Sequence, residues 1–274
     1  MLKVRVLTSF FLMLAFLSAL YLLPDLGWSL ATLSIVVLGA WEWGGLARLN
    51  TRAKGCYATA VALLGMLMLP DIWPANIEQV QLQVLFWALP GSVVFWLLLA
   101  PLWLLRLHKE TRTPVLLVCG VLILLAAWLS LVYLRKVSPS LLLALLATVW
   151  IADSAAYFAG KAWGRRKLAP QISPGKTWEG VLGAWVAVSI YGLLLCLLLS
   201  LTFWLIPGLW AILVLSILGD LFESHLKRLV GAKDSGSLLP GHGGVLDRID
   251  GMVSSLPIAV FALHLPIYYM VFHG

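Results

Sequence analysis

Charge is what this chain has least of. Asp, Glu, Lys and Arg together make up 11% of its residues, while 62% are hydrophobic and the mean hydropathy is +0.98. Soluble domains are about 45–50% apolar, so a water-soluble globule is excluded. The short alternating segments of a transmembrane barrel are missing too, and long apolar runs stand in their place. What remains is a helical integral membrane protein. Cysteine is scarce: Cys56, Cys119 and Cys196 lie in or beside apolar runs with no paired spacing. They read as buried thiols and offer neither a disulfide framework nor a zinc site. Acidic residues are outnumbered, 12 against 19 Lys and Arg, for a formal charge of +7. A cationic surplus can attract nucleic acid, but here it sits in short loops between apolar runs. It reads as cytoplasmic loop charge, and no nucleic-acid partner is expected.

A membrane helix takes roughly 20 apolar residues. Nine runs are candidates: Leu7–Leu23, Trp28–Trp43, Tyr57–Leu69, Val84–Leu105, Val115–Leu134, Leu141–Phe158, Val181–Ile206, Leu209–Leu218 and Met252–Val271. Counts of eight or ten also fit. The first run follows Lys3 and Arg5 as in a signal peptide, but no small-residue cleavage site follows, so it reads as an uncleaved helix. The fourth contains Pro90 and Pro101 and is expected to kink or divide. The eighth is expected to continue as a helix through Asp220 to Arg228. With the N-terminus in the cytoplasm, every cation except Arg135 and Lys136 falls on the cytoplasmic side, as the positive-inside rule asks. The expected fold is an all-α polytopic bundle of about nine helices. It forms one continuous membrane domain, with N-terminal helices over 1–138 and a catalytic region over 139–274. Trp28 and Trp43, near span ends, read as interfacial aromatics, and Glu42 beside Trp43 as an interfacial anchor.

Two polar stretches, Asp153–Glu179 and Asp220–Asp250, land on that same cytoplasmic side. Charge next to hydrocarbon is costly, so such a cluster marks a functional site. Asp220, Glu223, Ser224 and Lys227 stand at i, i+3, i+4 and i+7 and share one helix face. They form either a helix-end ion pair, Glu223 with Lys227, or a metal-binding face. Asp247 and Asp250 are either helix-start carboxylates favoured by the helix dipole or, with Asp220 and Glu223, candidate ligands of Mg²⁺. That hard ion is typically held by one or two carboxylates together with substrate phosphates.

Between these carboxylates run Lys233-Asp234-Ser235-Gly236 and Pro240-Gly241-His242-Gly243-Gly244. Glycines allow backbone N–H groups to form an anion nest. Flanked by Lys227, Arg228, Lys233 and Arg248, the turn reads as a polyphosphate cradle. His242 is either a phosphate donor or a satisfied turn residue. Upstream, SPGKT looks like part of a Walker A loop but is not one. Pro170 stands where that loop needs glycine, and no strand is expected here. Ser173, Gly175 and Lys176 remain candidate phosphate contacts, and Thr177 is the expected N-cap of the next helix. Asp153 is either a third carboxylate of the site or the partner of a nearby cation. The catalytic candidates are therefore Asp220, Lys227, Lys233, Asp247 and Arg248. Ser224, Arg228, Asp234, Gly243 and Gly244 join the substrate-binding set.

The run Ser224-x-x-Lys227-Arg228, Lys233-Asp234, Pro240-Gly241-His242-Gly243-Gly244, Asp247-Arg248-x-Asp250 resembles the signature of phosphatidate cytidylyltransferases (CDP-diacylglycerol synthases). SPGKTWEG, DSAAYFAG, MLKVRVL and AWEWG are similar to the bacterial members. The resemblance implies transfer of the cytidylyl group of CTP to phosphatidate, giving CDP-diacylglycerol and pyrophosphate. It also implies Mg²⁺, with K⁺ beside it in at least part of the family, a homodimer, and a multi-pass place in the bacterial inner membrane. By motif match Asp220 and Asp247 are the metal carboxylates, and Asp250, Lys227, Arg228, Lys233 and His242 line the same site. The residues agree with this chemistry, since a phosphatidate phosphate needs no protein nucleophile and metal and cation clamps suffice. Two other readings stay open: a CTP-using lipid-alcohol kinase that transfers the γ-phosphate, and an ion-coupled transporter. The transporter should show polar residues along a path to both faces.

Overall fold

The computed structural model describes residues 2–69, 89–106, 112–238 and 243–264. Among these residues there are nine helices: α1 (Leu2–Leu22), α2 (Asp25–Leu46), α3 (Thr51–Leu67), α4 (Leu89–Arg106), α5 (Thr113–Val137), α6 (Pro139–Trp163), α7 (Trp178–Leu199), α8 (Leu205–Leu229) and α9 (Leu246–Leu263). Six of them, α2 and α4 to α8, are long and apolar enough to cross a membrane. The architecture is that of an all-α membrane protein.

Helix boundaries follow local chemistry. Asn50 Oδ1 accepts from the Ala53 N–H at the start of α3, and Ser138 Oγ from the Leu141 N–H ahead of Pro139 in α6. Thr177 Oγ1 accepts from the Gly180 N–H at 3.1 Å, so Thr177 is the N-cap its sequence position suggested. α8 does run on through Asp220 and Arg228. Pro90 and Pro101 do not divide α4; a π turn over Phe95–Leu99 accommodates the chain between them.

Three expectations are corrected. The apolar run Val181–Ile206 is not one helix. α7 ends at Leu199, Ser200 takes a left-handed φ of 53°, and the Leu201 N–H closes onto the Cys196 carbonyl. Ser173–Thr177, expected to contain no strand, is strand β2. It pairs antiparallel with β1 (Lys167–Ala169), in register Lys167 with Thr177 and Ala169 with Ser173. This hairpin lies between the apolar helices α6 and α7, where an extended segment satisfies its backbone groups by local pairing. Trp28 and Trp43 are not interfacial but core residues, 2% and 3% exposed. Their indole N–H groups donate to carbonyls of α5, Leu131 and Leu116 respectively, which makes burial tolerable. Cys56, Cys119 and Cys196 are free thiols; Cys196 is buried and Cys119 half-buried, but Cys56, expected to be buried, is exposed on α3.

Two seams of small residues position the site. At α6–α7, a Cβ on Gly183 would overlap Ala159, and one on Gly180 would lie 2.8 Å from the Ala156 carbonyl. At α8–α9, a Cβ on Gly219 would overlap the Ser254 hydroxyl and the Asp250 carbonyl, while the Ser254 hydroxyl donates to the Leu215 carbonyl at 2.8 Å. Small residues let helix backbones approach this closely in an apolar solvent.

Candidate active site

The polar ends of α6, α8 and α9 and the β1–β2 hairpin meet at one end of the bundle. A cavity of about 460 Å³ opens between α6, α7, α8 and the hairpin. One wall is apolar, with Ala152, Ala156, Val181, Ala184, Leu213 and Ile217, and its polar end carries Asp153, Ser173, Lys176 and Asp220. Lys176, at the end of β2, holds Asp220 Oδ2 at 2.5 Å, and the Ser224 hydroxyl donates to Asp220 Oδ1 at 3.2 Å. Arg228 ties the hairpin to the end of α8 by donating to the Ile172 carbonyl. The close α8–α9 seam sets Asp250 near enough to Asp220 and Asp153 for their charges to interact, and Arg248 acts on Asp153 in the same way.

A second group of bonds adjoins this cavity. Lys227 Nζ stands 2.6 Å from Asp247 Oδ1 and 3.5 Å from Glu223 Oε1, all three side chains being largely buried. The ion-pair reading of the α8 face is the one seen: the Glu223–Lys227 helix pair exists and is drawn into a cluster spanning two helices. Asp247 also accepts the backbone N–H of Ser235 at 3.0 Å and of Gly244 at 2.8 Å. Asp247 lies in the first turn of α9, ahead of its apolar stretch. Burial works against its ionisation. The Lys227 hydrogen bond and the Gly244 and Ser235 N–H groups outweigh that and hold its carboxyl below the usual carboxylate range.

Gly243 has a φ of +80°, and its backbone passes so close to Asp247 that a Cβ would lie 3.0 Å from Oδ2. The N–H groups of Ser235 and Gly244 are given to Asp247, so this part of the glycine turn cradles a protein carboxylate. Lys233, Asp234 and Arg248 are exposed around it. His242 lies outside the described residues. Gly175 is exposed at the hairpin, with open space where a Cβ would stand.

A further residue departs from its expected place. Glu42 is no interfacial anchor: it is 3% exposed, and its carboxylate accepts from the Ser235 hydroxyl and from the Val245 and Leu246 N–H groups at the start of α9. The available signal was a carboxylate within an apolar run, and it was outweighed by the flanking tryptophans.

No group of three or more His, Cys, Asp or Glu side chains among the described residues is arranged to hold a metal ion by itself. A site with one or two carboxylates therefore suits an ion that brings water and substrate phosphate as its other ligands. Asp220 offers oxygen donors of that kind at the cavity's polar end.

Residues 3–266 match the model of the cytidylyltransferase family. The chain belongs to that family. It is 38% identical to a phosphatidate cytidylyltransferase of Pseudomonas aeruginosa, over 94% of this chain and 95% of that protein. It is 35% identical to one of Haemophilus influenzae, over 94% and 96%. A shorter match, 47% identical over 149 residues, covers 49% of this chain and 53% of a phosphatidate cytidylyltransferase of Brucella suis.

Proposed function

We propose that this protein is a CTP:phosphatidate cytidylyltransferase that works at the cytoplasmic face of a bacterial inner membrane. In the reaction, a phosphate oxygen of phosphatidate attacks the α-phosphorus of CTP. The bond from that phosphorus to the bridging oxygen of the β-phosphate breaks, and pyrophosphate leaves. The two products are CDP-diacylglycerol and pyrophosphate. The observation that carries this reading is the pairing of two lysines with two carboxylates at adjoining places, Lys176 with Asp220 and Lys227 with Asp247. This sits in a chain whose family match runs over residues 3–266.

Each residue then has a task. Lys176, Lys227, Lys233 and Arg248 bind and neutralise phosphate oxygens, and the paired carboxylates hold the two lysines extended until the phosphates arrive. Ser173, Gly175, Ser224 and Arg228 shape the hairpin side of the site, and Asp234, Gly243 and Gly244 the loop side. Asp220 and Asp247 are the two carboxylates that would hold Mg²⁺, with Asp250 and Glu223 lining the same site. The ion would polarise the phosphoryl oxygens and offset charge on the leaving pyrophosphate. No side chain need act as nucleophile. The apolar wall of the cavity suits a substrate that enters with its acyl chains in the bilayer, its phosphate meeting the polar end. The cation distribution supports an inside N-terminus, and nine membrane crossings would place both polar stretches together on that side. A homodimer completes the proposal.

Pyrophosphate release by the purified protein in detergent micelles tests the reaction. Release should require both CTP and phosphatidate, stop with EDTA and return with Mg²⁺. Release of CDP in place of pyrophosphate would favour the γ-phosphate kinase.

A further inference from the structure

We infer that Glu42 is a positioning residue for this reaction, acting from α2 through the loop that carries Asp247. The inference rests on the function proposed above. Glu42 Oε1 accepts the Val245 N–H at 3.0 Å, and Oε2 accepts the Leu246 N–H at 2.9 Å and the Ser235 hydroxyl at 3.0 Å. The same loop gives its Ser235 and Gly244 N–H groups to Asp247. Ser235 thus bridges two carboxylates, and the three consecutive N–H groups of Gly244, Val245 and Leu246 are divided between them. Both arms of the loop are pinned, one at Ser235 and the other at Gly244–Leu246.

Two glycines are explained by this clasp. A Cβ on Gly236 would overlap Glu42 Oε1, and one on Gly244 would overlap the Ser235 hydroxyl and lie 2.6 Å from Glu42 Oε2. Glu42 fills the space these residues leave. A buried carboxylate is costly unless its oxygens are hydrogen-bonded, and three donors from one loop meet that cost here. The result fixes where Asp247 and its partner Lys227 stand relative to the cavity. A carboxylate is required, not merely a polar group of that size. Glutamine in either orientation sets its NH₂ against a backbone N–H, that of Val245 or that of Leu246.

The test compares wild type, Glu42→Gln, Ser235→Ala and the double variant as full-length proteins in detergent micelles. Steady-state rates are measured with CTP, phosphatidate and Mg²⁺, and thermal unfolding is followed alongside. Glu42→Gln should lower kcat on the order of 100-fold, as a displacement of about 1 Å does in a preorganised site. KM for CTP should change by less than about threefold, because no substrate contact is lost. Ser235→Ala should lower kcat by about 5-fold or more with unfolding unchanged. The double variant should be no slower than Glu42→Gln, since both changes break one clasp.

A merely structural glutamate would lower the unfolding temperature and leave kcat per folded molecule at the wild-type value. That result overturns the inference, as do losses that multiply in the double variant. If Glu42→Gln does not fold, Ser235→Ala decides: reduced kcat at constant KM supports the role, and wild-type kcat overturns it. A wild type that makes no CDP-lipid overturns the proposed function and this inference with it. A wild type that makes it, matched by Glu42→Gln, overturns this inference alone.

Discussion

Lys227 and Asp247 face each other across the α8–α9 seam, with 2.6 Å between Nζ and Oδ1. The two residues are 20 positions apart in sequence and are joined by the glycine-containing loop whose N–H groups also bind Asp247. Breaking this pair tests whether the cluster is catalytic or only a helix-start ion pair. Asp247→Asn keeps the shape but removes the countercharge of Lys227 and one of the acceptors facing Ser235 and Gly244. Turnover should fall by at least about 100-fold while the protein stays folded by circular dichroism. Near-normal turnover would reduce Asp247 to a helix-start carboxylate.

Lys176 reports on the hairpin. It pairs with Asp220 at 2.5 Å at the polar end of the cavity, where the proposed function has it meet a phosphate. Lys176→Gln should raise KM for CTP or phosphatidate by about 10-fold or more, in keeping with loss of one charge-assisted contact. Steady-state titration of each substrate identifies which phosphate it meets. Unchanged KM and kcat for both would take Lys176 out of the site.

The α8–α9 seam should tolerate no added methyl group at Gly219, where a Cβ would overlap Ser254 and the Asp250 carbonyl. Gly219→Ala pushes the helices apart at the level of Asp220 and Asp250. It should cost about 1–3 kcal/mol of stability and lower kcat as well. Thermal unfolding and activity measured on one preparation check both effects.

Arg135 is the control at the far end of the bundle. Its buried guanidinium donates to the Leu20 carbonyl at 2.9 Å, to Asp25 Oδ1 at 2.6 Å and to the Leu23 carbonyl, and it lies over the Trp28 ring. It thereby closes the α1–α2 corner onto α5. At 1.5 Å per residue along α2, that corner is about 25 Å from Glu42. Arg135→Met leaves buried carbonyls unpaired and should cost about 2–4 kcal/mol of stability. Activity per folded molecule should stay at the wild-type level. An activity loss without loss of stability would contradict this purely structural role.

Much of the candidate site's local structure was legible because its signals are local. The spacing Asp220–Glu223–Ser224–Lys227 reads as one helix face whatever the tertiary structure, and α8 carries it. Thr177 capping α7 was legible for the same reason. The break after Leu199 was not, since apolar runs lie on both sides and its local marks, Ser200, Thr202 and then Pro207 in the first turn of α8, are single small residues. The hairpin escaped because its strands have three and five residues, too short for a periodic signal. Glu42 escaped because its partners lie 193 to 204 positions away, and no local pattern reports such a contact. The tryptophans were misplaced for a related reason. Aromatics at a span end suit an interface and a core equally, and only the α5 carbonyls opposite Trp28 and Trp43 decide between them.

The most direct test of cytidylyl transfer follows each phosphate of CTP separately. Purified protein in micelles with phosphatidate and Mg²⁺ is given CTP radiolabelled at the α-phosphate and, in parallel, at the γ-phosphate. Cytidylyl transfer puts α-label in a solvent-extractable CDP-lipid and γ-label in pyrophosphate. Label from the γ-phosphate in lipid, with none from the α-phosphate, would contradict it and identify a kinase.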